Sequence, residues 1–289
     1  MRYWAIVVSV VIPAHNEARV VGRLLSGLLA GATPNEFEIW VVANGCTDDT
    51  AEIAGRFADV KVLITPQAGK HAAMRLADEH AEGFPRLYVD ADVELGSGDV
   101  RALAAALDDP DHQGVLAVGP SRAMPPERLP WTVRWFYDVW DELPVVRAGL
   151  FGRGVVGLSR EGCERLRALP PLLGDDLAAS LLFEPNQRRV VPEASVVVHP
   201  PRTLGALLRI RSRALVSTLQ AAGNPRLAPA SGSARTSLAD LWAIAVKAPV
   251  RNGPKVAWFF AVTVATKLRA RRALRAGDFR TWQRDDTSR

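Results

Sequence analysis

LYVDADVEL, residues 87–95, begins as an apolar run and continues with acids at alternate positions. Leu87, Tyr88 and Val89 read as a short buried strand, and Asp90 and Asp92 lie just past its end. Two carboxylates two residues apart make a compact hard-oxygen site, the donor set that suits Mg²⁺ or Mn²⁺ bridging a diphosphate. An Asp-x-Asp triplet also turns up by chance in surface loops, so its weight comes from the sequence on either side of it.

Upstream, strand-like runs alternate with helical patterns. Residues 7–12 read as a strand, and 17–29 as a helix with Val20, Val21, Leu24, Leu25 and Leu28 on one face. Strands are expected at 38–43, 60–64 and 86–89, with helices at 48–57, capped by Thr47 or Asp48, and at 70–82. Downstream follow a helix at 99–107 and a strand at 114–118. This order implies an α/β fold, a mostly parallel Rossmann-like sheet with helices on both faces. In such sheets ligands bind beyond the carboxyl ends of the strands. Residues 13–17, 44–49 and 90–92 fall at those ends, so three clusters distant in sequence are expected on one rim.

The texture then changes. Pro125, Pro126 and Pro130 mark a loop before an aromatic segment, Trp131, Trp135, Phe136, Tyr137 and Trp140. Those rings suit a helix packed by its aromatic face or the wall of an acceptor pocket. The glycine-dense stretch GLFGRGVVG, 149–157, carries Arg153 and reads as a phosphate cradle or as a tight turn. Gly174-Asp175-Asp176 opens an apolar helix at 177–183, where acids also complement the helix dipole. A strand over 190–199 ends at His199-Pro200-Pro201.

The 289 residues are 48% hydrophobic and 23% charged, the composition of a globular chain with a sizeable core. Cys46 and Cys163 give neither a disulfide framework nor a zinc spacing, which fits a reducing cytoplasm. The opening residues run directly into IPAHNE without a small-residue cleavage site, so no signal peptide is expected. No apolar stretch reaches the ~18 residues of a membrane span. The net charge of +5 hides an asymmetry: from Arg202 onward there are 17 Lys and Arg against four acids, whereas residues 1–201 carry 19 against 27. The basic part reads as helical. A Gly/Pro/Ser-rich linker at 223–237 precedes two apolar segments, 238–246 and 256–266, and a run of Lys267, Arg269, Arg271, Arg272 and Arg275. That is the composition of an interfacial membrane helix, or of a helix pair on the body with a solvated basic end.

Taken in order, VSVVIPAHNE (8–17), VVANGCTDDT (41–50), the lysine of AGKHAAM (68–74), LYVDADVEL (87–95), GDDLAASL (174–181) and VVVHPPRTLGALLRIRSR (196–213) resemble a family 2 glycosyltransferase of the glycosyltransferase-A fold. The resemblance covers about residues 5–215. It implies a catalytic domain over 1–201, with a nucleotide half at about 1–120 and an acceptor half at about 121–201, followed by a basic helical region at 202–289. Pro13, Ala14, Asn16 and Glu17 would line the nucleotide pocket, Asn44 would stand where the family usually places a base-contacting aspartate, and Lys70 would lie near the nucleotide. Asp48 would shape the turn. Asp90 and Asp92 match the metal and diphosphate carboxylates, and His199 a histidine sometimes found near the donor phosphates, so the metal set is Asp90, Asp92 and His199. Asp175-Asp176 stands where the family has Glu-Asp, whose second acid is the catalytic base. The Gln-x-x-Arg-Trp motif of processive members is missing, with Ile210 and Ala214 at its Gln and Trp positions, which points to single addition.

The expected activity is therefore transfer of a sugar, with inversion, from a nucleotide-diphosphate-sugar to an acceptor hydroxyl, using Mn²⁺ or Mg²⁺. A carboxylate serves as general base, and Arg153, Arg209 or Arg213 can help hold phosphate. The acceptor is lipid-linked or a small molecule. A nucleotidyltransferase is the first alternative, but the segment after the first strand reads PAHNE rather than a Gly-rich Arg/Lys loop. A catalytically decayed membrane- or polyanion-binding scaffold is the second, opposed by the intact acid pairs. The aromatics of the basic region sit inside its apolar segments rather than among its arginines, which favours an anionic membrane over nucleic acid. The expected location is the cytoplasm, with peripheral contact at the inner face of the membrane as its extension.

Overall fold

In the computed structural model, which describes residues 7–110, 113–125, 129–171, 174–228 and 236–275, Val8–Ala14 forms a strand, β1, buried along its whole length. A strand covered on both faces needs apolar side chains on both, so it reads as a run rather than an alternation. In chain order there follow α1 (Val21–Leu29), β2 (Phe37–Asn44), α2 (Thr50–Gly55), β3 (Val60–Thr65), α3 (Lys70–Asp78), β4 (Arg86–Val89), α4 (Ser97–Asp108) and β5 (Ala117–Ala123). Then come α5 (Trp131–Trp140), α6 (Pro144–Ala148), β6 (Val155–Leu158), α7 (Arg160–Arg167), α8 (Asp175–Leu182), β7 (Arg188–Val197), α9 (Leu204–Gly223), α10 (Leu238–Lys247) and α11 (Pro249–Arg275).

The chain divides into two compact units. The described parts of residues 1–125, 150–171 and 182–198 make the first, and it holds the sheet. Its strand order is β3-β2-β1-β4-β6-β5-β7. β3, β2, β1 and β4 are parallel, and β6 runs antiparallel to β4 and β5. Val8, Val10, Ile12 and Ala14 share a buried cluster with Val21, Leu24, Leu25 and Leu28 of α1 and with Val100 and Leu103 of α4. The alternate residues of β1 face the other side, and α3 packs on β1 and β2. The sheet is thus flanked by helices, as in the glycosyltransferase-A architecture expected from the sequence.

Backbone chemistry opens a crevice between β1 and β4. Ser9 donates its N–H to the Pro85 carbonyl at 3.1 Å, so Val11 and position 13 face the same way. Position 13 is a proline with no N–H to give, and pairing of β1 with β4 stops at Val11. On the other edge β1 stays paired to β2 through Ala14. The chain winds outward from β1 to β3 and then crosses back to β4, so this gap is the topological switch point where open α/β sheets take their ligands.

Several boundaries differ from the sequence expectation. The second helix opens at Thr50 rather than residue 48, because the Asp48 carboxylate accepts the Thr50 N–H at 3.2 Å and holds residues 48–50 as a turn. The third helix ends at Asp78, where Asp78 and Ala81 are drawn onto the Arg86 guanidinium. The glycine-dense stretch turns at residues 151–152 and passes into a strand, β6, in keeping with the tight-turn reading.

The second unit comprises the described parts of 126–149, 172–181 and 199–289. It is helical. Thr203 caps α9 by accepting the Ala206 N–H at 3.2 Å, and Ser237 with Asp240 forms a reciprocal capping box at the start of α10. α11 packs on α5, α9 and α10. Phe136 stacks on Phe259 with ring centroids 4.8 Å apart, and Trp258 donates to the Thr132 carbonyl at 2.7 Å. Of the two readings of the aromatic segment, helix packing therefore accounts for Phe136, Tyr137 and Trp140, which are buried, while Trp131 is exposed. Among the described residues no helix is long and apolar enough to cross a membrane.

Candidate active site

Three chain segments meet at the carboxyl ends of β1, β2 and β4. Asn44, the last residue of β2, is 2% exposed. Its Nδ2 donates to the carbonyls of Ala14 at 2.8 Å and Val42 at 3.2 Å, and its Oδ1 accepts from the Gly69 N–H at 3.0 Å. An aspartate has no donor for those two carbonyls. The amide thus welds the end of β1 to the loop that launches α3. Gly45 follows with φ +59, and a Cβ there would come within 2.7 Å of the Ala68 Cβ, so only glycine lets the loops approach this closely.

The loop after β1 is held by its neighbours across the same rim. His15 Nδ1 lies 2.6 Å from the Asn44 carbonyl. Asn16 adopts φ 53 and accepts the Thr47 N–H through Oδ1 at 2.7 Å. Glu17 is buried, and its N–H donates to the Thr50 hydroxyl at 2.7 Å. Asp48 accepts from the Ala18 N–H at 3.1 Å and from the Thr50 hydroxyl at 2.5 Å. Burial works against the Asp48 charge, but these hydrogen bonds outweigh it and hold the carboxyl below its ordinary range. Asp48 shapes the turn, the role the sequence reading gave it.

Lys70 is the first residue of α3, where a cation opposes the helix dipole. It is stabilised there by Asp90, with Nζ 2.5 Å from Oδ1. Asp90 itself is placed by pairing at the end of β4: its N–H donates to the Gly154 carbonyl at 2.7 Å. Burial then alternates along the chain. Ala91, Val93 and Leu95 are buried, whereas Asp90, Asp92 and Glu94 remain partly open. Arg23 secures the Asp92 carbonyl at 3.3 Å and the Glu94 carboxylate at 3.4 Å.

Gly154 is a site residue that the sequence reading did not single out. It has φ +68, and a Cβ there would sit 2.6 Å from Val93 Cγ1 and 3.2 Å from Asp90 Oδ2. The density of glycine across 149–157 was the available signal, but not which glycine the acid needs.

A family model, Glycosyl transferase family 2, matches residues 9–151, which includes β1 to β5 and the whole rim from Pro13 to Asp92. These 143 residues, just under half of the chain, match glycosyl transferase family 2. The match to an uncharacterised glycosyltransferase of Mycobacterium tuberculosis is 31% identical over 127 residues, 44% of this chain and 54% of that protein. An undecaprenyl-phosphate 4-deoxy-4-formamido-L-arabinose transferase of Pseudomonas savastanoi is 32% identical over 124 residues, 40% of this chain and 36% of that one. The matches thus span about half or less of these relatives' length. Among solved structures, a mannosyltransferase of Pyrobaculum calidifontis in complex with GDP-mannose and Mn²⁺ superposes with a TM-score of 0.60 at 23% identity, covering 96% of this chain and 82% of that one. That likeness establishes the fold.

The remaining positions that the resemblance singled out belong to other segments of the chain. Arg153 is 5% exposed and donates from Nη1 to the Pro120 carbonyl of β5 at 2.9 Å, so the guanidinium anchors β5 from inside the first unit. Asp175, Asp176 and His199 belong to the second unit. Asp175 and Asp176 are the first two residues of α8, and Asp176 Oδ1 accepts the Leu177 N–H at 2.7 Å. Gly174 before them packs near Ser217 of α9, where a Cβ would come within 3.1 Å of the Ser217 Cβ. Among the described residues no three acids, histidines or cysteines gather as a ready-made metal cluster. A carboxylate pair still fits a small hard cation, which commonly takes one or two protein carboxylates and completes its shell with water and substrate phosphates.

Proposed function

We propose that this chain is a glycosyltransferase that moves a sugar from a nucleotide-diphosphate-sugar to an acceptor hydroxyl, once per acceptor and with inversion. The observation that carries the reading is the position of Asp90 and Asp92 just beyond β4, beside the gap that Pro13 of β1 leaves between β1 and β4. The nucleotide is assigned to the rim made by Pro13, Ala14, Asn16 and Glu17, with Asn44 and Gly45 shaping its floor and Lys70 beside the phosphates. GDP-mannose and Mn²⁺, which the Pyrobaculum relative binds, supply the donor class and the cofactor class, Mn²⁺ or Mg²⁺.

Asp90 and Asp92 would hold that ion; no cluster of three such ligands is gathered among the described residues, so His199, expected from the sequence, is left out of the set. Held there, it would supply positive charge to offset that developing on the departing diphosphate. The chain's own groups do the rest. Lys70 carries a positive charge that can turn from Asp90 to a donor phosphate. Asp176, or failing it Asp175, takes the proton from the acceptor hydroxyl as it attacks. Attack by the hydroxyl itself is a single displacement, which inverts the anomeric carbon. Arg153, given its buried place, is assigned to positioning β5 and the Gly154 turn rather than to gripping phosphate. Ile210 and Ala214, in place of the processive motif, support single addition. The acceptor is proposed to be lipid-linked or small, and the basic helical region to touch an anionic membrane from its cytoplasmic side.

The test is a thermal-shift screen of nucleoside diphosphates with and without Mn²⁺. The expected result is a rise in Tm with one nucleoside diphosphate that depends on the ion and disappears in Asp92→Asn. Asp176→Asn should keep that shift and lose transfer by 100-fold or more, the scale of a general-base contribution. An undiminished shift in Asp92→Asn removes the metal assignment, and full transfer by Asp176→Asn moves the base elsewhere.

A further inference from the structure

α11 is apolar on two opposite faces. Phe259, Val262, Thr266 and Ala270 are buried on the side that packs within the second unit. At 100° per residue, Val250, Pro254, Ala257, Ala261, Val264 and Leu268 form a second stripe, spaced four and three residues apart, on the far side. These residues are exposed, Val250 by 94%, and Phe260 borders them, exposed too. α10 carries an exposed apolar stripe of its own, where Leu238 is 75% and Trp242 71% exposed and Val246 completes the four-residue spacing. Along α11 the outer stripe runs about 27 Å, at ~1.5 Å per residue, without a charged side chain. It then ends among Lys267, Arg269, Arg271 and Arg272, all exposed. Among the described residues none of these four makes an ion pair.

We infer that these two stripes are the face by which the protein lies on an anionic lipid bilayer, with Trp242, Phe260, Val264 and Leu268 in the headgroup–acyl boundary and the four cations on lipid phosphates. The inference rests on the reading of the basic region as a membrane contact and names its surface. Apolar length followed by cations is the layout of an interfacial helix, and no described helix is able to span. A second copy of the chain is the competing occupant, and it fits less well. The only acid between residues 238 and 275 is Asp240, already held in the capping box with Ser237. A copy meeting this face with the same face brings apolar surface but little counter-charge, whereas an anionic bilayer brings both.

The experiment is flotation of the full chain with vesicles of phosphatidylcholine alone or with 30% phosphatidylglycerol. The wild type should bind the anionic vesicles and leave the neutral ones. Trp242→Ser with Phe260→Ser should weaken binding tenfold or more. Arg269→Gln, Arg271→Gln and Arg272→Gln together should weaken it about 100-fold, at roughly fivefold per cation. All five positions are exposed, so a retained Tm and an unchanged nucleotide-induced shift will show that fold and donor site are intact. Wild type that ignores both vesicle types overturns the membrane reading itself. Binding by the variants at wild-type strength keeps that reading and overturns this surface. A concentration-dependent dimer that Phe260→Ser dissolves, with no vesicle binding, assigns the stripe to a second copy instead. None of these outcomes touches the sugar-transfer proposal, which the nucleotide shift tests separately.

Discussion

Gly154 shows how much of this site one missing side chain carries. With φ +68 the position lies in the left-handed region, where an L-residue costs about 1–2 kcal/mol. A methyl group would also press on Val93 and on the Asp90 carboxylate, which must shift to make room. Gly154→Ala should lower stability by about 2–4 kcal/mol, overpacking included, and should cut the ion-dependent nucleotide shift at least tenfold in apparent affinity. Gly98→Ala is the control: it lies in α4 with nothing within 4 Å of its added Cβ. It should be neutral or stabilising by up to about 1 kcal/mol. Equal loss of nucleotide binding in both variants would remove Gly154 from the site. The acids at 90 and 92 were legible in the sequence because their signal is local, a strand end followed by alternating charge. The work of Asn44 was not legible. Its partners, the carbonyls of Ala14 and Val42 and the N–H of Gly69, are backbone groups brought together by the fold, and no side-chain pattern announces them.

At the scale of elements, β4 and α3 carry the acid and the lysine, and one buried cluster fixes them to each other. Arg86 of β4 donates from Nη1 to Asp78 of α3 at 2.8 Å, and the Tyr88 hydroxyl donates to the same oxygen at 2.7 Å. Cys163 of α7 closes the group, its thiol pushed up to about 12 chiefly by burial. Both charged side chains of the pair are nearly inaccessible. Asp78→Ala strands a buried guanidinium, and losing one partner of such a pair costs about 3–5 kcal/mol. Denaturant unfolding should show that loss, with Arg167→Ala, whose Nε is 3.6 Å from Asp78 on the exposed side, costing under about 1 kcal/mol. If the two variants unfold alike, the buried pair is not what holds β4 to α3. The parallel strands were legible as apolar runs, but β6 was not: four residues after a glycine cluster leave no period to read. α11 was legible as a helical segment, but its two faces were not. Apolar residues on both faces read as a featureless apolar segment, and separating the inward stripe from the outward one required knowing where α5 and α9 lie against it.

Across the whole molecule the charge is divided rather than mixed, with 17 Lys and Arg against four acids from Arg202 onward and 19 against 27 before it. That division was plain from composition, because charge sums need no fold. What composition does not give is which cations lie together; Lys267, Arg269, Arg271 and Arg272 are exposed near the end of α11 and are the group proposed to meet lipid. Exposed charges act on a lipid surface through solvent, so salt screens them; the Debye length falls from about 10 Å at 0.1 M to about 3 Å at 1 M. The ion, the acids and the diphosphate are in direct contact in the proposed donor site, where screening is much weaker. Raising NaCl from 0.1 to 0.5 M should therefore weaken flotation with anionic vesicles by tenfold or more, while the nucleotide-induced Tm shift with Mn²⁺ changes less than about threefold in apparent affinity. Vesicle binding that ignores salt would mean the apolar stripe alone holds the membrane and the cations are bystanders. Parallel loss of both signals would mean that nucleotide phosphate and lipid phosphate are drawn by the same exposed arginines, and the donor would then have to be moved from the rim of the sheet to the helices.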